Sequence, residues 1–205
     1  VYNLINAQYN TFVVKARDIA GNISSPSNQV VAAAAFSGLH YKYYTFTGTW
    51  NNLPDFNTLV PAFTGNDVNV SIANSPNGDN FAYLWEGFIT APSTGNYYFR
   101  TTSDDGSRLY LGTAGGTGSP YGYSVVPKVN NDGLHGTATV TSSAVYLVQG
   151  ETYPIAITFY EQGGGENMSI TWRTPTNSNY VSVPNSAFIQ NVSAPGNLPN
   201  APSSL

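Results

Sequence analysis

The sequence predicts an all-β domain of many short strands, and three observations predict it. Charged residues make up only 9% of the 205 residues, well below the roughly 25% of an ordinary soluble domain. Gly, Pro, Asn, Ser and Thr fill the difference, which is the composition of short strands joined by turns. No long segment repeats its apolar residues at the helical period, whereas several short ones alternate, or run apolar, between turn residues.

The same composition excludes several classes of function. The net charge is −4, with only seven Lys and Arg, and neutralising phosphates needs clustered cations, so no nucleic acid is expected as a partner. No stretch is long and apolar enough for membrane insertion. The absence of cysteine excludes disulfides, Cys–zinc sites and cysteine nucleophiles, but leaves secretion open.

Taken in order, residues 1–31 read as two strands, 9–17 and 27–31, around the turn Asp18-Ile19-Ala20-Gly21-Asn22. An isolated hairpin is marginal in water, so this one is expected to lean on something or to belong to a truncated neighbour. Four alanines at 32–35 form a linker, and the main domain is expected over 36–190. Its strands are placed at 38–44, 68–72, 81–89, 97–101, 108–111, 125–129, 144–148, 153–160 and 168–173. Between Leu111 and Val125 lies a soft stretch, Gly112 to Tyr123, with five glycines and one proline. A second glycine-rich loop is Glu161-Gln162-Gly163-Gly164-Gly165-Glu166, and residues 191–205 read as a linker toward a next module.

The most informative residues are Asp104-Asp105-Gly106, between two of these strands. Neighbouring side chains on a regular strand point to opposite faces, so both carboxylates reach one ion only if the chain bends between them. A cis peptide is one route to that bend. The plainer reading is the polar tip of a hairpin turn. Catalysis finds little support. His40 and His135 have no nucleophile motif around them, and the only conceivable acid–base pair is Asp104 with Glu161 or Glu166. The domain is therefore not expected to be an enzyme and has no candidate catalytic residue. Trp50, Trp85 and Trp172 are expected in the core, and Arg108 is expected to face outward.

Six ordered stretches resemble one family: G-L-H-Y-K-Y-Y at 38–44, L-P-D-F at 53–56, F-I-T-A-P-S-T-G-N-Y-Y-F at 88–99, T-S-D-D-G-S-R-L-Y-L at 102–111, N-N-D-G-L-H-G at 130–136 and the closing hairpin. The family is the protective-antigen-fourteen (PA-fourteen) domain, and the resemblance spans 36–189. It implies an antiparallel β-sandwich of lectin type, found in adhesins, toxins and accessory modules of secreted glycosidases. It further implies calcium held by Asp104 and Asp105 across a cis peptide, with Gln162, Gly163 and Gly164 supplying an amide and carbonyls. A carbohydrate ligand would then meet Asp104, Asp105, Glu161 and Gln162, with Tyr121, Tyr123 or Tyr160 stacking on the sugar. Asn131 and Asp132 match a recurrent motif whose role is read as structural. The 112–123 insertion replaces a short turn of the family and is expected to border the pair, shaping or blocking the site. Residues 9–31 resemble the last hairpin of a fibronectin type III module, and 197–205 the start of another. The expectation is a calcium-dependent carbohydrate-binding module, monomeric within a secreted or cell-surface multidomain protein. The alternative is a non-binding structural spacer of the same fold.

Overall fold

The computed structural model describes residues 9–33 and 37–190, with backbone alone at 9–12 and 30–33. These fall into two compact units, 9–33 and Ser37–Gln190. In the first, β1 (Tyr9–Phe12) and β2 (Val30–Ala33) pair antiparallel, Tyr9 opposite Ala33. The hairpin is shorter than the sequence suggests, and β2 takes in the first two alanines of the expected linker. Ala34, Ala35 and residues 191–205 lie outside the described residues. The turn between the strands is held by Asp18, whose carboxylate accepts from the Asn22 backbone and side-chain amides at 2.9 and 2.8 Å.

The second unit is a sandwich of two antiparallel sheets. Its strands are β3 (Leu39–Thr45), β4 (Phe63–Asp67), β5 (Phe81–Thr90), β6 (Gly95–Asp104), β7 (Ser107–Leu111), β8 (Val129–Asn131) and β9 (Ala138–Thr141). They continue as β10 (Val145–Leu147), β11 (Thr152–Glu161), β12 (Asn167–Thr174), β13 (Asn177–Ser182) and β14 (Phe188–Ile189). The larger sheet runs β4-β3-β5-β11-β7-β8, with β14 on β5; the smaller runs β10-β6-β12-β13, with β9 on β6.

Burial explains the two kinds of strand pattern. In β6 every second residue from Tyr97 to Ser103 is buried and its neighbours reach the surface, so the smaller sheet has one wet face. In β5 and β11 nearly every residue is buried, because the larger sheet is covered on both sides. Trp85, Tyr83, Ile157 and Phe159 face the smaller sheet's Phe99, Ile170 and Trp172. On the opposite face Tyr44, Leu84, Tyr110 and Tyr160 pack beneath Leu53, Phe56, Trp50 and Tyr121. Trp85 and Trp172 are thus core residues as expected, and Trp50 stacks on Phe46 at 3.7 Å.

Several expectations are corrected. Residues 68–72 are irregular rather than a strand, because β4 ends at Asp67. Asp67 there accepts from the Trp85 indole N–H at 3.0 Å. The strand expected at 125–129 begins only at Val129. Strands β9 and β13 have no counterpart in the sequence reading. Their polar, threonine- and asparagine-rich residues have one or both faces wet, which removes the apolar signal.

Candidate functional site

At one end of the sandwich the ends of β6, β8 and β11 and the start of β7 converge with the loops 132–136 and 162–166. The peptide bond joining Asp104 to Asp105 is cis, the configuration the resemblance implies. Beneath it a hydroxyl lock ties the two strands: Ser103 Oγ lies 2.8 Å from Ser107 Oγ and accepts from Asn131 Nδ2 at 2.9 Å. Asn131 also donates to the Ala138 carbonyl at 3.1 Å, so its role is structural.

The two aspartates sit in different environments. Asp104 is half-buried, and among the described residues its side chain accepts a hydrogen bond from the Thr137 hydroxyl alone, at 3.3 Å. Asp105 is buried and accepts the backbone amides of His135 and Gln162, each at 3.0 Å. It therefore ties together three loops. Its own amide donates to Glu161 Oε2 at 3.1 Å. Glu161 is fully buried, and its Oε1 has no hydrogen-bond partner among the described residues. Burial first, then the charges of Asp105 and Asp104, push its carboxyl up to about 7, although the Gly163 and Asp105 amides act the other way. The charges of Asp105 and Asp104 thus reach the buried Glu161 carboxyl, which is about half protonated near neutral pH.

His135 closes the opposite side. Both ring nitrogens face carbonyl oxygens, of Gly136 at 2.9 Å and Asn131 at 3.1 Å, which the imidazolium satisfies and a neutral tautomer cannot. Burial opposes the charged form, but those carbonyls and the Asp105 and Asp104 carboxylates raise the pKa overall.

Gly106 is required by close approach. A Cβ there would lie 2.5 Å from Tyr160 Cε1 and 3.0 Å from Asp132 Oδ1. Gly106→Ala should therefore destabilise the domain by about 1–3 kcal/mol, as overpacking does. A melting temperature equal to wild type would contradict this account of the turn.

The remaining sequence candidates separate cleanly. The Gln162 amide is occupied: its oxygen accepts from the Trp50 amide at 2.6 Å, and its nitrogen donates to Asn80 at 2.9 Å and to the Gly48 carbonyl at 3.2 Å. Gly163 and Gly164 follow in the exposed loop, where Gly164, at φ +114°, donates its amide to Asp79 Oδ1 at 3.1 Å. Asp79 and Asn80, which anchor this loop, have no place in the sequence reading. Asp132 is engaged in structure: it accepts from the Leu53 amide at 2.7 Å and pairs with Arg108 at 2.7 Å. Arg108 accordingly turns to that carboxylate and to Asn130 instead of facing out.

Of the three loop tyrosines, two are packing residues. Tyr160 is fully buried, its hydroxyl without a partner among the described residues. Tyr121 packs edge-on to Phe56 and Tyr110, and its hydroxyl accepts from the Phe56 amide at 2.9 Å. Only Tyr123 is exposed. The insertion begins far from the carboxylates, where Gly112 and Gly115 donate to the carbonyls of Pro154 and Thr152. It then returns to cover the outer face of the larger sheet through Tyr121, so its contacts make it part of a second core. Among the described residues no group of three or more His, Cys, Asp or Glu is arranged as a ready metal centre.

Fold and site together define a β-sandwich module carrying a carboxylate cluster among the loops at one end. The chain belongs to the PA14 domain family, whose pattern it matches over residues 36–186. Among solved structures it is similar to the PA14 domain of the MpAFP antifreeze protein, at 19% identity and TM-score 0.60, covering 80% of this chain and 95% of that one. It is also similar to the A domain of Epithelial Adhesin 6 from Candida glabrata, solved in complex with Galb1-3GlcNAc (17%, TM-score 0.58, 80% and 92% covered). A PA14 sugar-binding domain from an RTX adhesin is a third (17%, TM-score 0.56, 76% and 99% covered). At these identities the likeness is one of fold. No curated protein sequence matches the chain.

Proposed function

We propose that this domain is a calcium-dependent carbohydrate-binding module. The observation that carries the reading is the convergence of Asp104 and Asp105 on a buried Glu161 whose Oε1 is unpartnered. Carboxylates and loop carbonyls are the oxygen donors a hard cation takes, and calcium accepts six to eight of them. The donor set fits. Asp104 and Asp105 would hold the ion, with carbonyls of Gly163 and Gly164 as the loop's contribution, while the Gln162 amide positions that loop. Bound calcium would supply open coordination positions for sugar hydroxyls. Asp104, half-exposed at the strand end, is the carboxylate a sugar meets first; Asp105 and Glu161 lie below it. Tyr123 is the aromatic left to stack on a ring.

The adhesin neighbours, one solved with a bound sugar and one named as a sugar-binding domain, support the ligand class. They equally support a non-catalytic module, secreted or displayed at the cell surface; no helix among the described residues is long and apolar enough to cross a membrane. We read the 9–33 hairpin as the end of a fibronectin type III-like module and 191–205 as a linker, with the domain monomeric in a multidomain chain, an adhesin or a glycosidase.

Exposed diol coordination competes with water, so affinity near millimolar is expected, about −4 kcal/mol. A glycan array probed with and without chelator tests this. Calcium-dependent retention that Asp104→Asn removes supports the reading; retention indifferent to both contradicts it.

A further inference from the structure

Four side chains on the wet face of the smaller sheet alternate as guanidinium and phenol. Arg100 lies 3.5 Å from the centre of the Tyr180 ring; Arg173 lies 5.9 Å from that ring and 4.0 Å from Tyr98. Strand register builds the ladder. Arg173 on β12 stands opposite Tyr98 on β6, Thr171 opposite Arg100, and β13 carries Tyr180 alongside. A guanidinium lying over a ring is held flat, with N–H groups left at its rim. Arg100 spends only Nε, on Thr141 Oγ1 at 3.2 Å.

Neither arginine has an ion-pair partner among the described residues, whereas Lys42 and Arg108 pair with Glu86 and Asp132. The remaining lysine or arginine of residues 37–190 is Lys128. It lines an open hollow of about 390 Å³ with Ser142, Ser143 and the 64%-exposed Tyr146 of the edge strand β10. Residues 37–190 thus gather their unpaired lysine and arginine side chains on and beside one sheet face, which makes that face attractive to anions. Asp104 lies on the same face, but four residues along β6, roughly 13 Å away. That exceeds the Debye length of about 8 Å at physiological salt, so its charge does not cancel the arginines.

We propose that this face binds a carboxylate-bearing polysaccharide, a chain of uronic acid residues. Planar guanidinium rims match planar carboxylates through paired hydrogen bonds. The surroundings carry hydroxyls, with Thr102 and Thr139 in contact at 2.8 Å and Thr141 beside Arg100. A polyhydroxylated chain exchanges hydrogen bonds with such a surface; an acidic polypeptide is the competing occupant that the test separates. The inference goes beyond the calcium site and stands separately from it, because a chelator disables one and not the other.

The test is affinity electrophoresis of the full chain in gels containing polygalacturonate, dextran or polyglutamate, all with EDTA. Retardation by polygalacturonate alone is expected, weakened by salt and unchanged in Asp104→Asn. Arg100→Gln and Arg173→Gln should each weaken it roughly tenfold. The double Arg→Lys variant keeps charge and stem and should still lose most binding, with melting temperature confirming that it folds. Equal retardation by dextran or polyglutamate, or a lysine variant that binds as wild type, overturns the proposal.

Discussion

Replacing Asp105 with alanine is expected to lower stability by about 3–5 kcal/mol, whereas Asp104→Ala should cost less than about 1 kcal/mol. The carboxylate of Asp105 is buried and is the acceptor for two backbone amides, those of His135 and Gln162. Removing it leaves both partly buried donors without their acceptor, and each such group costs about 1–3 kcal/mol. Asp104 is half-exposed and accepts only from the Thr137 hydroxyl among the described residues. Even Asp105→Asn should destabilise, since an amide NH₂ would face one of the two donors. Thermal unfolding in chelator reads the difference as a drop of roughly 10 °C or more for Asp105→Ala. Equal melting temperatures for the two alanine variants would show that Asp105 does not tie the loops together. The pair therefore divides its labour: Asp105 is built into the loops, and Asp104 stays half-exposed at the strand end.

A second large effect concerns pH. The Glu161 carboxyl moves from 4.5 up to about 7 in the folded protein, through burial and the neighbouring Asp105 and Asp104. Between those values the folded state binds more protons than the unfolded state. Stability of the metal-free domain should thus fall as pH rises, by at most about 3 kcal/mol from this group. His135, also raised, contributes in the same direction, so the readout is the difference between wild type and Glu161→Gln. That difference should grow from about pH 4.5 to pH 7 and level off above. Excess calcium should flatten it, because the cation takes the place of the proton. A pH-independent difference would mean that Glu161 is not carrying the proton.

How much of this was legible depended on what each residue does. The strands with two buried faces, such as Phe81-Ala82-Tyr83-Leu84-Trp85, announce themselves by continuous apolar runs. The strand from Tyr97 is legible from its aromatic run Tyr97-Tyr98-Phe99, although its alternation is one of burial and not of residue type. Strands β9 and β13 are edge-lying and polar, so nothing in their composition separates them from loops. At the site, Asp104-Asp105-Gly106 stands out because adjacent carboxylates before a glycine are chemically distinctive. The partners do not. Asp79 and Asn80 are polar turn residues whose contacts with the 162–164 loop cross some eighty positions of chain. Tyr121 and Tyr160 look like stacking aromatics from their glycine-rich neighbourhoods, but which way a ring points is decided by the covering segment 46–59. The glutamine of the second loop has ligand chemistry, yet three backbone and side-chain groups had already claimed it.

The central claim is that the carboxylate cluster is a calcium site, and titration calorimetry of calcium into the chelator-treated domain tests it most directly. The account predicts a single-site binding heat that Asp104→Asn removes without loss of the fold. It also predicts a melting temperature that rises with calcium, by the equivalent of about 2.7 kcal/mol at a hundredfold excess over Kd, and returns on chelation. No binding heat, together with a melting temperature indifferent to calcium and chelator, would contradict it and leave the domain a structural spacer.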